Sequence, residues 1–139
     1  MGKGQRGRNW ESEPYKNLCV SFYKRLSNKA SKDIFFKLNM IVSLKMIRIL
    51  KKYSIPKLSI KWPNDIEVET SSIGGQEKLA GVLAQSKLVR ARASVVVGVG
   101  INVHPSNIQD VITQRGVISL SDLGSPPDRV HLAEVILLN

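Results

Sequence analysis

The chain has 139 residues, 42% of them hydrophobic, which is enough for one domain around a single buried core. No apolar run approaches the roughly 20 residues that cross a bilayer, and the first residues are glycine and charge rather than a signal-peptide core, so the expectation is a cytoplasmic domain. The net charge of +10 is uneven: residues 1–61 carry 15 Lys and Arg against 3 acids, and residues 62–139 carry 6 against 8. That asymmetry suits a polyanionic partner, either a nucleic acid or a nucleotide triphosphate.

Residues 1–16 show no sustained periodicity and read as loop. Leu18, Val20 and Phe22 alternate with Cys19, Ser21 and Tyr23, which predicts a strand ending at Lys24-Arg25. Cys19, the single cysteine, cannot form an internal disulfide and reads as a small apolar strand residue. Ser31 is a candidate cap, Asp33 complements a helix dipole, and the run Ile34 to Tyr53 holds no Gly or Pro. Its apolar face is Phe35, Leu38, Val42, Met46, Ile49 and Leu50, while Lys45, Arg48, Lys51 and Lys52 read as its solvated side. Pro56 closes this helix.

Leu58 to Lys61 reads as a short strand entering a turn at Trp62-Pro63-Asn64-Asp65, with Trp62 taken as a core residue. Extended structure resumes at Ile66 to Val68. Ser71 to Gln76 is a turn by composition and implies a hairpin. Leu79 to Leu88 and Ser94 to Ile101 are the next strands, joined by a basic link at Arg90-Ala91-Arg92. The second is continuously apolar and therefore belongs inside a sheet. A weaker helical pattern covers Ile108 to Gln114, and Asp128 is placed to cap a last helix from Arg129 to Asn139. The sum is an α+β fold, a mixed β-sheet with helices packed against it.

Two segments carry chemistry. The first, Gly2-Lys3-Gly4-Gln5-Arg6-Gly7-Arg8, alternates glycine with cations: glycine lets backbone amides approach a ligand, and the cations neutralise phosphate oxygens. It is neither a Walker loop nor a Rossmann fingerprint, and by itself it is equally readable as a basic tail that binds nucleic acid loosely. The second, Lys61-Trp62-Pro63-Asn64-Asp65, joins a rigid turn, an aromatic face, an amide and a carboxylate at a strand end.

With Lys78-Leu79-Ala80-Gly81 and Gly98-Val99-Gly100-Ile101-Asn102, these segments resemble the catalytic core of biotin protein ligases, element by element and in the family's order, over residues 2 to about 104. The resemblance implies a partial catalytic domain of the biotin/lipoate protein ligase type, similar to class II aminoacyl-tRNA synthetases, spanning residues 1–139. It implies an ATP-dependent ligase that joins biotin and MgATP as biotinyl-5′-adenylate and transfers the biotinyl group to a lysine of a biotin carboxyl carrier domain. Cations must then screen two mutually repelling anions, the biotin carboxylate and the α-phosphate.

Carried over by residue, Gly2, Lys3, Gly4 and Gln5 would contact biotin, with Gly81 keeping the floor clear for its ring system. Lys78 would bridge the carboxylate and α-phosphate, with Arg6 and Arg8 as further catalytic cations. Arg8, Trp10, Asn64, Asp65, Gly100 and Asn102 would serve the nucleotide, Trp10 stacking near the adenine and Asn102 reading its edge. Asp65 would also serve the magnesium. A homodimer is compatible with the family; a membrane partner is not expected. His104 and His131 read as loop punctuation and helix surface.

The chain departs from the family pattern in places. Many members carry arginine where Lys3 and Gln5 stand here, so the loop has lost one bidentate fork and one charge, which implies weaker retention of the adenylate. The family's core also includes an upstream Ser-Thr-Asn biotin motif and a downstream β-barrel domain, neither of which is in this sequence, and there is no amino-terminal DNA-binding module. The competing expectations are an inactive ligase fragment and a basic nucleic-acid-binding module. The latter is supported by the charge of the first half but opposed by sparse aromatics and the lack of a recognised motif, so nucleic acid is the weaker partner.

Overall fold

The structure is a computed structural model describing residues 2–7, 9–26, 33–55, 57–70, 75–89, 92–105, 116–124 and 126–138; of Arg6 it describes the main chain. Arg8, Ser31, Pro56, the turn at Ser71 to Gly74, Arg90, Ala91 and the helical pattern at Ile108 to Gln114 lie outside the described residues.

The opening segment is a small antiparallel ribbon rather than plain loop. Strand β1 (Gly2–Lys3) pairs with β2 (Asn9–Trp10) across a 3-10 turn at Gln5–Gly7. Gly7 at φ 78° supplies the left-handed residue that turns the chain back. Strand β3 (Asn17–Arg25), helix α1 (Ile34–Lys51), β4 (Leu58–Lys61), β5 (Asp65–Glu69), β6 (Gln76–Val89), β7 (Arg92–Asn102) and helix α2 (Arg129–Leu138) follow.

Strands β3 to β7 form one sheet in the order β3-β7-β6-β5-β4, with every neighbouring pair antiparallel. The α+β class stands, but the sheet is not mixed. Among the described residues parallel pairing is confined to a bridge between Lys78 and Val117. The reason is connectivity: hairpin links join β4 to β5, β5 to β6 and β6 to β7, and a hairpin can only reverse direction.

One sheet face is covered by α1. Met46, Ile49 and Leu50 of the helix join Ile66, Val68, Val82, Val97, Val99 and Ile101 of the strands in the core. Asn39, buried among them, is fully used: its amide nitrogen donates to the Phe35 carbonyl (3.0 Å) and its oxygen accepts from the Ala84 N–H (2.9 Å). Helix α1 starts after Asp33, whose side chain makes no cap bond, and it ends at Lys51, before the expected Tyr53. In α2, Asp128 caps as expected, its Oδ1 accepting from Val130 N (2.9 Å) and His131 N (3.1 Å).

Trp62 corrects the sequence reading. It is 68% exposed, at the outer turn between β4 and β5, where it meets Phe36 of α1 with ring centroids 6.1 Å apart. The same turn buries Asn64, which bonds Val82 of β6, while Trp62 stays exposed, so apolar character alone did not carry it inward.

The other sheet face is left for the cleft, and a bulge decides what it presents. The β5–β6 register passes from Ile66↔Ala80 to Glu67↔Lys78, leaving Leu79 without a partner on β5. Leu79 and Ala80 are both fully buried. Strict alternation would send Lys78 and Gly81 to opposite faces; the extra residue puts both on the cleft side.

Candidate functional site

Two rows of residues cross the cleft face. Cys19, Gly100, Gly81, Asp65 and Lys61 follow one another from β3 to β4 by direct strand pairing. Beside them, Gly98 pairs with Ser21 on one side and Leu83 on the other. Glycine and small residues thus make a flat floor.

Trp10 lies on that floor. A Cβ built on Gly100 would stand 2.5 Å from Trp10 Cε2, and one on Gly81 would stand 3.1 Å from its Cζ3. The ribbon β1–β2 therefore docks through one indole, which needs glycine at both positions. The cleft that results has a volume of about 240 Å³.

Lys78 supplies its central charge. Its Nζ lies 3.1 Å from Asp65 Oδ1 and 5.4 Å from the Trp10 ring centroid, a distance within cation–π range. Across the β5 strand pair, Glu67 is buried, with Lys61 Nζ 3.6 Å from its Oε1. Burial pushes the Glu67 carboxyl above the usual range, the Asp65 charge adds to this, and Lys78 opposes it.

Of the residues singled out in the sequence, Gly2, Lys3, Gly4, Gln5, Trp10, Asn64, Asp65, Lys78, Gly81, Gly100 and Asn102 all line this one cleft. Arg8 and the Arg6 side chain lie outside the described residues. Besides the Lys78–Asp65 pair, the two asparagines among the eleven are already engaged. Asn64 donates its amide hydrogen to the Val82 carbonyl at 2.7 Å, tying the turn to β6. Asn102 accepts from Asn17 Nδ2 at 2.9 Å and donates to the Lys78 carbonyl at 3.2 Å.

Cys19, Ser21, Leu83 and Val117 also line the cleft and were not anticipated. For Cys19 and Ser21 a signal existed: they alternate with Leu18, Val20 and Phe22, so they had to face away from the core. Cys19 is exposed on the cleft side, not packed as a small apolar residue. Partial desolvation on the cleft side pushes its thiol up, against a smaller lowering by Trp10. His104 stitches the fold: its backbone N–H donates to Lys16 O (2.8 Å) and its Nδ1 meets Ser121 Oγ at 2.9 Å. His131 is exposed on α2, as read.

No helix among the described residues is long and apolar enough to cross a membrane, and no cluster of three or more His, Cys, Asp or Glu there could hold a metal ion.

A helix-backed antiparallel sheet whose open face is a glycine floor with a lysine over it defines an α+β domain with a cleft on one sheet face. Residues 1–102 match the biotin/lipoate A/B protein ligase family, and the chain belongs to that family. It is 31% identical over 137 residues to the bifunctional ligase/repressor BirA of Escherichia coli K12, covering 98% of this chain and 40% of that protein. The biotin protein ligase of Aquifex aeolicus, solved in complex with biotin and ATP, superposes with a TM-score of 0.71 at 27% identity, covering 99% of this chain and 53% of the other. The fold is shared with the biotin protein ligase of Leishmania major, solved in complex with biotinyl-5-AMP, at a TM-score of 0.70 and 22% identity. The chain thus spans well under two thirds of the relatives it matches.

Proposed function

We propose that the cleft binds biotin and MgATP, joins them as biotinyl-5′-adenylate, and passes the biotinyl group to a lysine of a biotin carboxyl carrier domain in the cytoplasm. In the first step a biotin carboxylate oxygen bonds to the α-phosphorus, the bond to the β-phosphate breaks, and pyrophosphate leaves. In the second, the acceptor amine attacks the carbonyl carbon, AMP leaves, and the amine gives up a proton.

The observation that carries this reading is the placement of Lys78 beside the glycine floor and under the loop ribbon. A cation there lowers the repulsion between carboxylate and α-phosphate, and it is held within a partly enclosed cleft where charge is screened less than in water. Asp65 pairs with Lys78 until a ligand anion takes its place, and its carboxylate can serve the magnesium that arrives with ATP, since that ion is commonly held by one or two carboxylates plus phosphate oxygens. Gly2 to Gln5 form the wall over biotin.

Trp10 lies on Gly81 and Gly100, which supports assigning it, with Gly81, to the biotin ring system rather than to adenine. Asn64, Gly100 and Asn102 remain on the nucleotide side, and Arg6 and Arg8 keep the role of further cations that the family resemblance implies. A homodimer is compatible with this assignment and is tested by sedimentation.

Calorimetric titration with biotin, then ATP, followed by a carrier-domain biotinylation assay, tests the reading. Binding of both with transfer is expected. No binding of either, with salt-sensitive RNA binding instead, would overturn it.

A further inference from the structure

Lys78 projects into the cleft just past the point where β6 parts from β7: it still faces Glu67 of β5, and on its other side it meets Val117 through an isolated bridge. Pairing between β6 and β7 ends at Ala80↔Ile101, while Asn102 is still the last residue of β7. Past that point side chains of β3 and β7 add to the main-chain bonds. Asn102 Nδ2 donates to the Lys78 carbonyl at 3.2 Å, and Asn102 Oδ1 accepts from Asn17 Nδ2 at 2.9 Å. Asn17 and Asn102 are a directly opposed pair of the β3–β7 ladder.

The polarity of this chain of bonds is fixed from one end. A carbonyl oxygen only accepts, so Asn102 must turn its NH₂ to Lys78, which leaves its oxygen facing Asn17. Asn17 must then offer its own NH₂. The cost is visible: Asn17 Oδ1 is buried without a hydrogen-bond partner among the described residues. A buried acceptor left unpaired is unfavourable, so this orientation holds because the reverse would oppose two oxygens.

We propose that Asn17 is a positioning residue for Lys78. Through the Asn102 amide it fixes the peptide from which the cleft's ammonium group projects. The remaining holds on that peptide, from Lys78 N–H to Gly116 O (3.0 Å) and from Ile118 N–H to Lys78 O (3.1 Å), come from a different part of the chain. Removing the Asn17 donor therefore loosens one of the two donors on the Lys78 carbonyl and leaves the Ile118 N–H in place.

Asn17→Asp offers only acceptors at neutral pH. The Asn102 amide then turns its NH₂ to the new carboxylate, and its oxygen opposes the Lys78 carbonyl. Asn17→Val, uncharged and without a hydrogen-bonding side chain, covers the case in which the aspartate variant does not fold. The direct measurement is the through-hydrogen-bond NMR coupling between Asn102 Nδ2 and the Lys78 carbonyl carbon in the full 139-residue chain. It is expected in the wild type and absent in both variants; its absence from the wild type, or its persistence in a folded variant, overturns the proposal.

The functional arm rests on the proposed biotin and ATP site. In a cycle of Asn17→Ala, Asn102→Ala and the double variant, each single change is expected to weaken biotin binding in the presence of ATP about tenfold, and the double no further than Asn102→Ala. Additive losses, or wild-type binding by Asn17→Ala, would refute the relay. Should the wild type bind neither ligand, the functional reading fails while the coupling measurement still decides the positioning.

Discussion

Gly100 shows how narrowly the cleft is built. Alanine there would put a methyl group 2.5 Å from Trp10 Cε2, and the indole, wedged also over Gly81, has to move. Overpacking of this kind costs about 1–3 kcal/mol, and the larger effect is expected on the ribbon that Trp10 anchors. Gly100→Ala should red-shift tryptophan emission and lower biotin affinity at least about tenfold. Unchanged emission with unchanged affinity would mean that Trp10 does not rest where the cleft needs it.

Gln5 makes a separate prediction. Where arginine would hold the adenylate by its charge and a bidentate fork, glutamine offers single hydrogen bonds without a charge of its own. Gln5→Arg should slow release of labelled biotinyl-adenylate, by about tenfold in a dissociation assay. Equal release rates would show that position 5 does not set retention.

At the scale of elements, the β5 strand carries Asp65 and Glu67 on the cleft face, with Lys61 and Lys78 beside them. The Glu67 carboxyl is raised, mainly by burial. The folded state therefore holds this proton more tightly than the unfolded chain. From the ordinary value of 4.5 upward, until the folded-state pKa is passed, stability should fall as pH rises. Glu67→Gln should flatten that fall, as read from urea midpoints at several pH values between 4.5 and 7. A slope identical to wild type would place the proton uptake elsewhere.

Elements were also where the sequence was most legible. Alternation marked β3, the Gly- and Pro-free run marked α1, and the continuous apolar run of β7 marked an internal strand; all three depend on local spacing. The bulge at Leu79 was not legible, because Lys-Leu-Ala-Gly fits a regular strand equally well and the choice is made by burying both Leu79 and Ala80. Nor was the ribbon opening at Gly2, since its strands are two residues long and are stabilised by Trp10 meeting Gly81 and Gly100, distant in the sequence. Trp62 failed for the opposite reason: its chemistry suggested the core, and the geometry of its turn prevented it.

For the whole molecule, the candidate residues were recognisable as separate motifs, but their meeting in one cleft depended on the sheet order. Residues 2–10, 64–65, 78–81 and 98–102 come together only because β7 and β6 lie side by side at its centre. Among the described residues, the positive charge of the first 61 then lies partly at Lys3 beside the cleft and partly on α1, on the opposite sheet face. Nucleotide binding should accordingly weaken only modestly with salt, because a few cations meet the phosphates rather than the whole basic half. A log–log slope approaching that of a polyanion contacting many lysines would favour the nucleic-acid alternative.

The most direct test of the cleft as the site joining biotin to ATP is to incubate the chain with radiolabelled biotin and MgATP and quantify biotinyl-adenylate, alongside Lys78→Ala. The prediction is ATP-dependent adenylate from the wild type and about 100-fold less, or more, lost in the variant, the scale expected when a charge that stabilises the transition state is removed. Equal yields from the two proteins, or no adenylate from a folded wild type that is saturated with both substrates, would contradict it.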